Sequence, residues 1–128
     1  MSTRVLPKLT AGQRELDLSS EKFGYLESSA NLVGNPLALR ARMEDEGYLF
    51  LPGLLNRDDV LAARRTCAER LAAKGLLDES RDIMDCIAKP GAQIAFMPEL
   101  AKGNTELMKV IYDGPMMALY RDLIGDEV

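Results

Sequence analysis

Histidine and tryptophan are absent from all 128 residues, and cysteine occurs only twice. Without an imidazole the chain has no His-based general acid or base and no Ser-His-Asp or Cys-His nucleophile pair. It also lacks the donor on which nearly every transition-metal site of this kind is built. Cys67 and Cys86 have no second pair and no CxxC spacing, so neither a zinc site nor a disulfide framework is implied, and both read as reduced thiols. Cys67 sits at a helical apolar position and reads as core. No apolar run is long enough for a signal h-region or a membrane span, so a cytoplasmic location is expected. No GxGxxG, Walker loop or G-x-S-x-G elbow occurs, which removes the usual nucleotide and hydrolase readings. Cations are in deficit too. Sixteen Lys and Arg against twenty Asp and Glu give a net charge of −4, which works against nucleic acid or an anionic membrane as partner.

What is present is the composition of one folded domain: 47% apolar and 28% charged residues in 14.1 kDa. Residues 1–34 carry isolated Leu and a Phe23-Gly24-Tyr25 step without a sustained period, and read as an irregular N-terminal arm. Asn35-Pro36 is an N-cap followed by a first-turn proline, and Leu39 and Met43 continue at helical spacing to Gly47, which predicts a helix over 36–46. Its last turn, Glu44-Asp45-Glu46, has the wrong sign for the carbonyl end of a helix. Tyr48-Leu49-Phe50-Leu51, bounded by Gly47 and Pro52, is too short for a helix and reads as a buried strand.

Asn56 caps a second helix with Asp58 and Asp59 in its first turn, and the pattern runs over 57–74 until Gly75 stops it. Val60, Ala63, Cys67 and Leu71 form its apolar stripe, with Arg64, Arg65, Glu69, Arg70 and Lys74 mostly elsewhere. Residues 78–102, with Pro90, Gly91 and Pro98, read as an irregular excursion with one helical turn. Asn104 or Thr105 then caps a helix with Leu107, Val110 and Ile111 inward. Gly114-Pro115 interrupts it, and a second piece with Met117, Tyr120, Leu123 and Ile124 on one side ends at Gly125.

Three constellations could carry chemistry, and each has a plainer reading that outweighs it. Asp78, Glu79, Asp82 and Asp85 could hold Mg²⁺ or Ca²⁺, yet the EF-hand glycine and terminal Glu are missing and a solvated acidic face is favoured. Arg64, Arg65, Arg70 and Lys74 could grip phosphate, but they interleave with Glu69 in an acidic chain and read as a solubilising face. Met108, Met116 and Met117 could line an adaptable partner groove, although core filling is the better account. No catalytic, cofactor-binding or metal-ligating residue is assigned.

The run Leu39-Arg-Ala-Arg-Met-Glu-Asp-Glu-Gly-Tyr-Leu-Phe-Leu-Pro-Gly-Leu-Leu-Asn-Arg-Asp-Asp-Val60 places a helix, an acidic-Gly-Tyr junction, an apolar strand and a capped helix in order. It resembles the N-terminal part of the phytanoyl-CoA dioxygenase family, and the similarity continues through residues 62–71, 74–78 and 123–126. Pro52 departs from the basic residue that the family pattern places before Gly53-Leu54-Leu55.

The resemblance implies an α+β segment, mainly helical with one or two strands. It would be the N-terminal portion of a double-stranded β-helix (jelly-roll) oxygenase, with the barrel core absent. Residues 1–34 would be an arm and 35–128 the helical and first-strand part of the domain, ending before the barrel. Family members are non-haem Fe(II) enzymes that couple O₂ and 2-oxoglutarate to hydroxylation, with iron on a His-x-Asp pair and a distant second His. Those ligands follow the matched part. Fe(II) and 2-oxoglutarate are therefore implied for the full-length protein and not for this chain. The partners implied are the missing C-terminal barrel of the same protein and a small-molecule or acyl-linked substrate. The alternative is a free-standing α-helical interaction module or degenerate remnant, binding through Leu49, Phe50, Leu54 and the Met-rich helices.

Overall fold

The computed structural model describes residues 8–93 and 95–125. Residues 1–7 of the expected arm, Ile94 within the excursion and residues 126–128, the first of which ends the last matched stretch, lie outside them. Four helices carry the architecture: α1 (Pro36–Glu46), α2 (Arg57–Ala73), α3 (Thr105–Tyr112) and α4 (Gly114–Ile124). The only strands named among the described residues are β1 (Thr10–Ala11) and β2 (Arg14–Glu15), an antiparallel pair with Thr10 opposite Glu15. The chain is thus mainly helical, and the described residues close no barrel.

The helix limits follow their caps. Asn35 Oδ1 accepts from the Ala38 N–H at 3.2 Å, with Pro36 in the first turn, and the Gly47 N–H returns to the Met43 carbonyl at 3.0 Å. Asn56 Oδ1 accepts from both Asp58 and Asp59 N–H groups, at 2.9 and 3.1 Å. At the far end of α2 the Gly75 N–H donates to Ala72 O (2.8 Å) and the Leu76 N–H to Leu71 O (3.2 Å). This 5→2, 6→1 pair is a Schellman motif, and it requires the left-handed φ of 67° that Gly75 adopts. The Asp113 N-cap of α4 has no side-chain hydrogen bond, and the break between α3 and α4 falls at Asp113, one residue before the expected Gly114-Pro115, which open α4 instead.

Packing is serial: α1 touches α4, α4 touches α3, α3 touches α2, and residues 76–89 loop back onto α2. That excursion is pinned by an antiparallel bridge between Leu77 and Ala88 and holds a 3-10 turn at Ile83–Asp85; a second such turn lies at Pro98–Leu100. A serial arrangement buries little. The buried apolar residues are Leu39, Ala63, Ala68 and Leu77. The accessible surface is 10,046 Å², against about 6,700 Å² for a compact chain of 14.1 kDa.

Three expectations need correction. The 48–51 segment is not a buried strand. Phe50 makes an isolated parallel bridge with Ser28 and is 40% exposed, because no strand among the described residues lies along the other side of the segment. The arm of 1–34 is not wholly irregular, since it contains the β1–β2 hairpin and a 3-10 turn at Ala30–Leu32. It also meets the 48–51 segment, with the Ser29 N–H donating to Phe50 O (2.8 Å) and the Glu27 N–H to the Tyr48 hydroxyl (3.0 Å). The stripe of α2 is wider than expected: Ala63 and Ala68, about 140° apart around the helix, are buried with Cys67 and Leu71 half-buried between them, while Val60 is exposed, because α3 and the 76–89 excursion both press on this helix.

Candidate functional site

Three places where side chains converge could act as sites, and each has an identifiable chemistry. The first joins α2 to the loop before α3. Asn104, 2% exposed, caps α3 by accepting from the Leu107 N–H (3.1 Å). It also accepts from the Thr66 hydroxyl (2.9 Å) and donates to Leu100 O (3.0 Å) and Cys67 Sγ (3.7 Å). Beside it Arg70 donates to four carbonyls, Glu99 O, Leu100 O, Lys102 O and Gly103 O, at 2.7 to 3.1 Å. Lys74 completes the clasp on Glu99 at 2.7 Å, and that hydrogen bond is the main reason the Glu99 carboxyl titrates below its ordinary value. Arg70 and Lys74 spend their contacts on the 99–103 loop, so the clasp is a fastening.

The second is a cleft of about 240 Å³ where the start of α2 meets the α3–α4 joint, lined by Asp59, Val60, Lys109 and Pro115 among others. Lys109 Nζ lies 2.7 Å from Asp59 Oδ1, and this contact raises the lysine's pKa above its ordinary value. A lysine held cationic is a poor nucleophile or base, so the cleft has no chemistry of that type.

The third is a groove between α1 and α4, lined by Arg40, Met43, Glu44, Tyr120, Leu123 and Ile124, with a volume of about 390 Å³. Arg40 forms its floor. Its Nε donates to Asp122 O and Leu123 O (3.1 and 3.0 Å) and its Nη2 to Asp122 O (2.8 Å), so a cation from α1 caps the carbonyl end of α4. Gly125 is constrained by the same contact, because a Cβ there would stand 3.0 Å from Arg40 Nη2.

The residues singled out by sequence fall differently from one another. Asp78 Oδ1 accepts from both the backbone N–H and the hydroxyl of Ser80, which lower its pKa, the hydroxyl contributing most. Asp82 caps the Ile83–Asp85 turn through the Met84 N–H (2.7 Å), and Asp85 faces Arg81 at 3.5 Å. Among the described residues no three His, Cys, Asp or Glu gather closely enough to hold a metal ion.

Arg70 and Lys74 are committed to the clasp, whereas Arg64 and Arg65 are exposed, so the four cations form no common phosphate grip. Cys67 is half-buried beside Asn104, and Cys86 takes a left-handed φ of 52°. Met108, Met116 and Met117 are half-buried and none lines the groove. Sequence reasoning missed the capping role of Arg40 and the four-carbonyl grip of Arg70, because both partners are brought in by tertiary packing. The chain matches no protein-family model, no curated protein and no solved structure.

Proposed function

We propose that this chain supplies the N-terminal helices and first strand of a non-haem Fe(II)/2-oxoglutarate oxygenase resembling the phytanoyl-CoA dioxygenases. The observation that carries the reading is the segment 48–51. It lies between the Gly47 terminus of α1 and the Asn56 cap of α2, in the order the resemblance implies, and its one bridge among the described residues is with Ser28. Phe50 turns its carbonyl to Ser29, so by strand alternation the Leu49 peptide groups face the opposite edge, where a further strand of a sheet would pair, while the Leu51 carbonyl accepts the Leu54 N–H (3.3 Å) in the turn that ends the segment. In this reading the helices position the sheet and frame its entrance.

The described residues do not fit the iron. There is no histidine in the sequence and no cluster of three carboxylates or thiols, so the two-imidazole, one-carboxylate face cannot be assembled from them. Hydroxylation of a small or acyl-linked substrate in the cytoplasm would thus belong to a barrel outside these residues. The exposed α1–α4 groove favours a second reading, a helical interaction module. Among the described residues no helix is long and apolar enough to cross a membrane, which is compatible with either reading. The coding DNA past Val128 separates the two. A frame continuing into His-x-Asp and a later His supports the oxygenase, and an immediate stop codon defeats it.

A further inference from the structure

The last turn of α1 breaks a local rule, and the groove beside it gives the break a use. Glu44, Asp45 and Glu46 sit at a helix end that already carries partial negative charge, with no basic residue in that turn. None of the three pairs with a Lys or Arg among the described residues; the ion pairs formed there involve Glu15, Asp17, Glu27, Glu99, Asp85 and Asp59. Arg40, which also lines the groove, has its Nε and Nη2 turned to the α4 carbonyls and makes no ion pair with Glu44.

Glu44 itself lines the groove, and the apolar side chains around it are open to solvent: Ile124 is 59% exposed, Tyr120 46% and Met43 45%. An apolar trough whose lining carboxylate, Glu44, makes no ion pair among the described residues, at a helix end that carries two further carboxylates, is complementary to one kind of surface. We propose that the α1–α4 groove docks a cationic amphipathic helix of a partner protein. The apolar stripe of that helix lies on Met43, Tyr120, Leu123 and Ile124, and its Lys or Arg side chains neutralise the carboxylates that close α1. A second copy of this chain fits less well. Each copy carries a net charge of −4, and a two-fold axis through the groove would put the same acidic turn on both sides of the contact. This inference is independent of the oxygenase reading, whose open edge at 48–51 does not line the groove.

The chain contains no tryptophan, so a peptide carrying one reports its own binding by fluorescence. The probe is a synthetic Leu/Lys amphipathic helix of about 18 residues, some five turns, with a single Trp in its apolar stripe. Its counterpart has Glu at every Lys position. The Leu/Lys probe is expected to give a saturable blue shift and the Leu/Glu peptide none. Ile124→Lys and Glu44→Lys, both at exposed positions, should each weaken binding by about tenfold or more.

Glu79→Lys makes the same change in net charge on the excursion that packs against α2, and it should leave the affinity within about twofold, since Glu79 does not line the groove and salt screens exposed charges that make no contact. If Ile124→Lys loses the helical circular-dichroism spectrum, the Glu44→Lys and Glu79→Lys pair still decides. Equal weakening by Glu44→Lys and Glu79→Lys, or binding of the Leu/Glu peptide, would overturn the proposal. So would a dimer in sedimentation that Ile124→Lys dissolves, because the occupant would then be a second copy.

Discussion

Replacing Asn104 with alanine tests the fastening between α2 and α3, and the structure sets its size. The side chain accepts the Leu107 N–H, accepts the Thr66 hydroxyl, and donates to the Leu100 carbonyl from a position 2% exposed to solvent. Loss of the cap costs about 1 kcal/mol. The Leu100 carbonyl keeps Arg70 Nη1 as a donor at 3.1 Å, so losing the amide bond adds about 0.5–1 kcal/mol and the total loss is about 1.5–2 kcal/mol. Thr66 supplies the internal control. Its hydroxyl also faces Ala63 O at 2.9 Å, and its single proton is shared between two acceptors. Thr66→Val should therefore cost under about 1 kcal/mol, because Asn104 keeps the Leu107 and Leu100 bonds. Urea titration followed by circular dichroism at the helical band reads both variants. Asn104→Ala within about 0.5 kcal/mol of wild type, or Thr66→Val costing as much as Asn104→Ala, would refute the reasoning.

Arg70→Ala should cost about 1–3 kcal/mol through the loss of four carbonyl contacts, whereas Arg65→Ala should stay under about 0.5 kcal/mol in the same titration. Cys86→Val should lower Tm, because a β-branched residue cannot hold the left-handed φ of 52°, while Cys86→Gly should keep Tm or raise it. The pH dependence has a definite sign. The Glu99 carboxyl, held below its ordinary value of 4.5 chiefly by the Lys74 hydrogen bond, contributes stability present above that value and lost as pH falls through the lower folded one. Acid titration of Tm should accordingly be shallower in Glu99→Gln than in wild type.

Helix limits were legible because their determinants are local. Asn35, Asn56 and Asn104 cap through their own side chains, and Gly47, Gly75 and Gly125 end helices within one turn of the residues they serve. Burial of Ala63 was legible in the stripe, but its widening to Ala68 was not, since alanine carries little weight in an apolar pattern and the faces are chosen by α3 and the 76–89 loop. Tyr48 to Leu51 illustrates the limit of local reading. Its composition is that of a strand, but pairing is a property of the neighbour, and Ser28 and Ser29 are the neighbours it finds. The candidate sites rest on long-range contacts such as Arg40 to Asp122 and Arg70 to Glu99, which no spacing along the chain encodes.

We propose that these 128 residues serve as a scaffold for oxygenase chemistry that they do not themselves perform. The measurement that tests it most directly is Fe(II)-dependent succinate formation from 2-oxoglutarate, compared between residues 1–128 and the full product of the reading frame that encodes them. The account predicts no turnover and no stoichiometric Fe(II) binding by residues 1–128, and turnover by a longer product carrying His-x-Asp. Turnover by residues 1–128 alone, or a frame that stops after Val128, would contradict it.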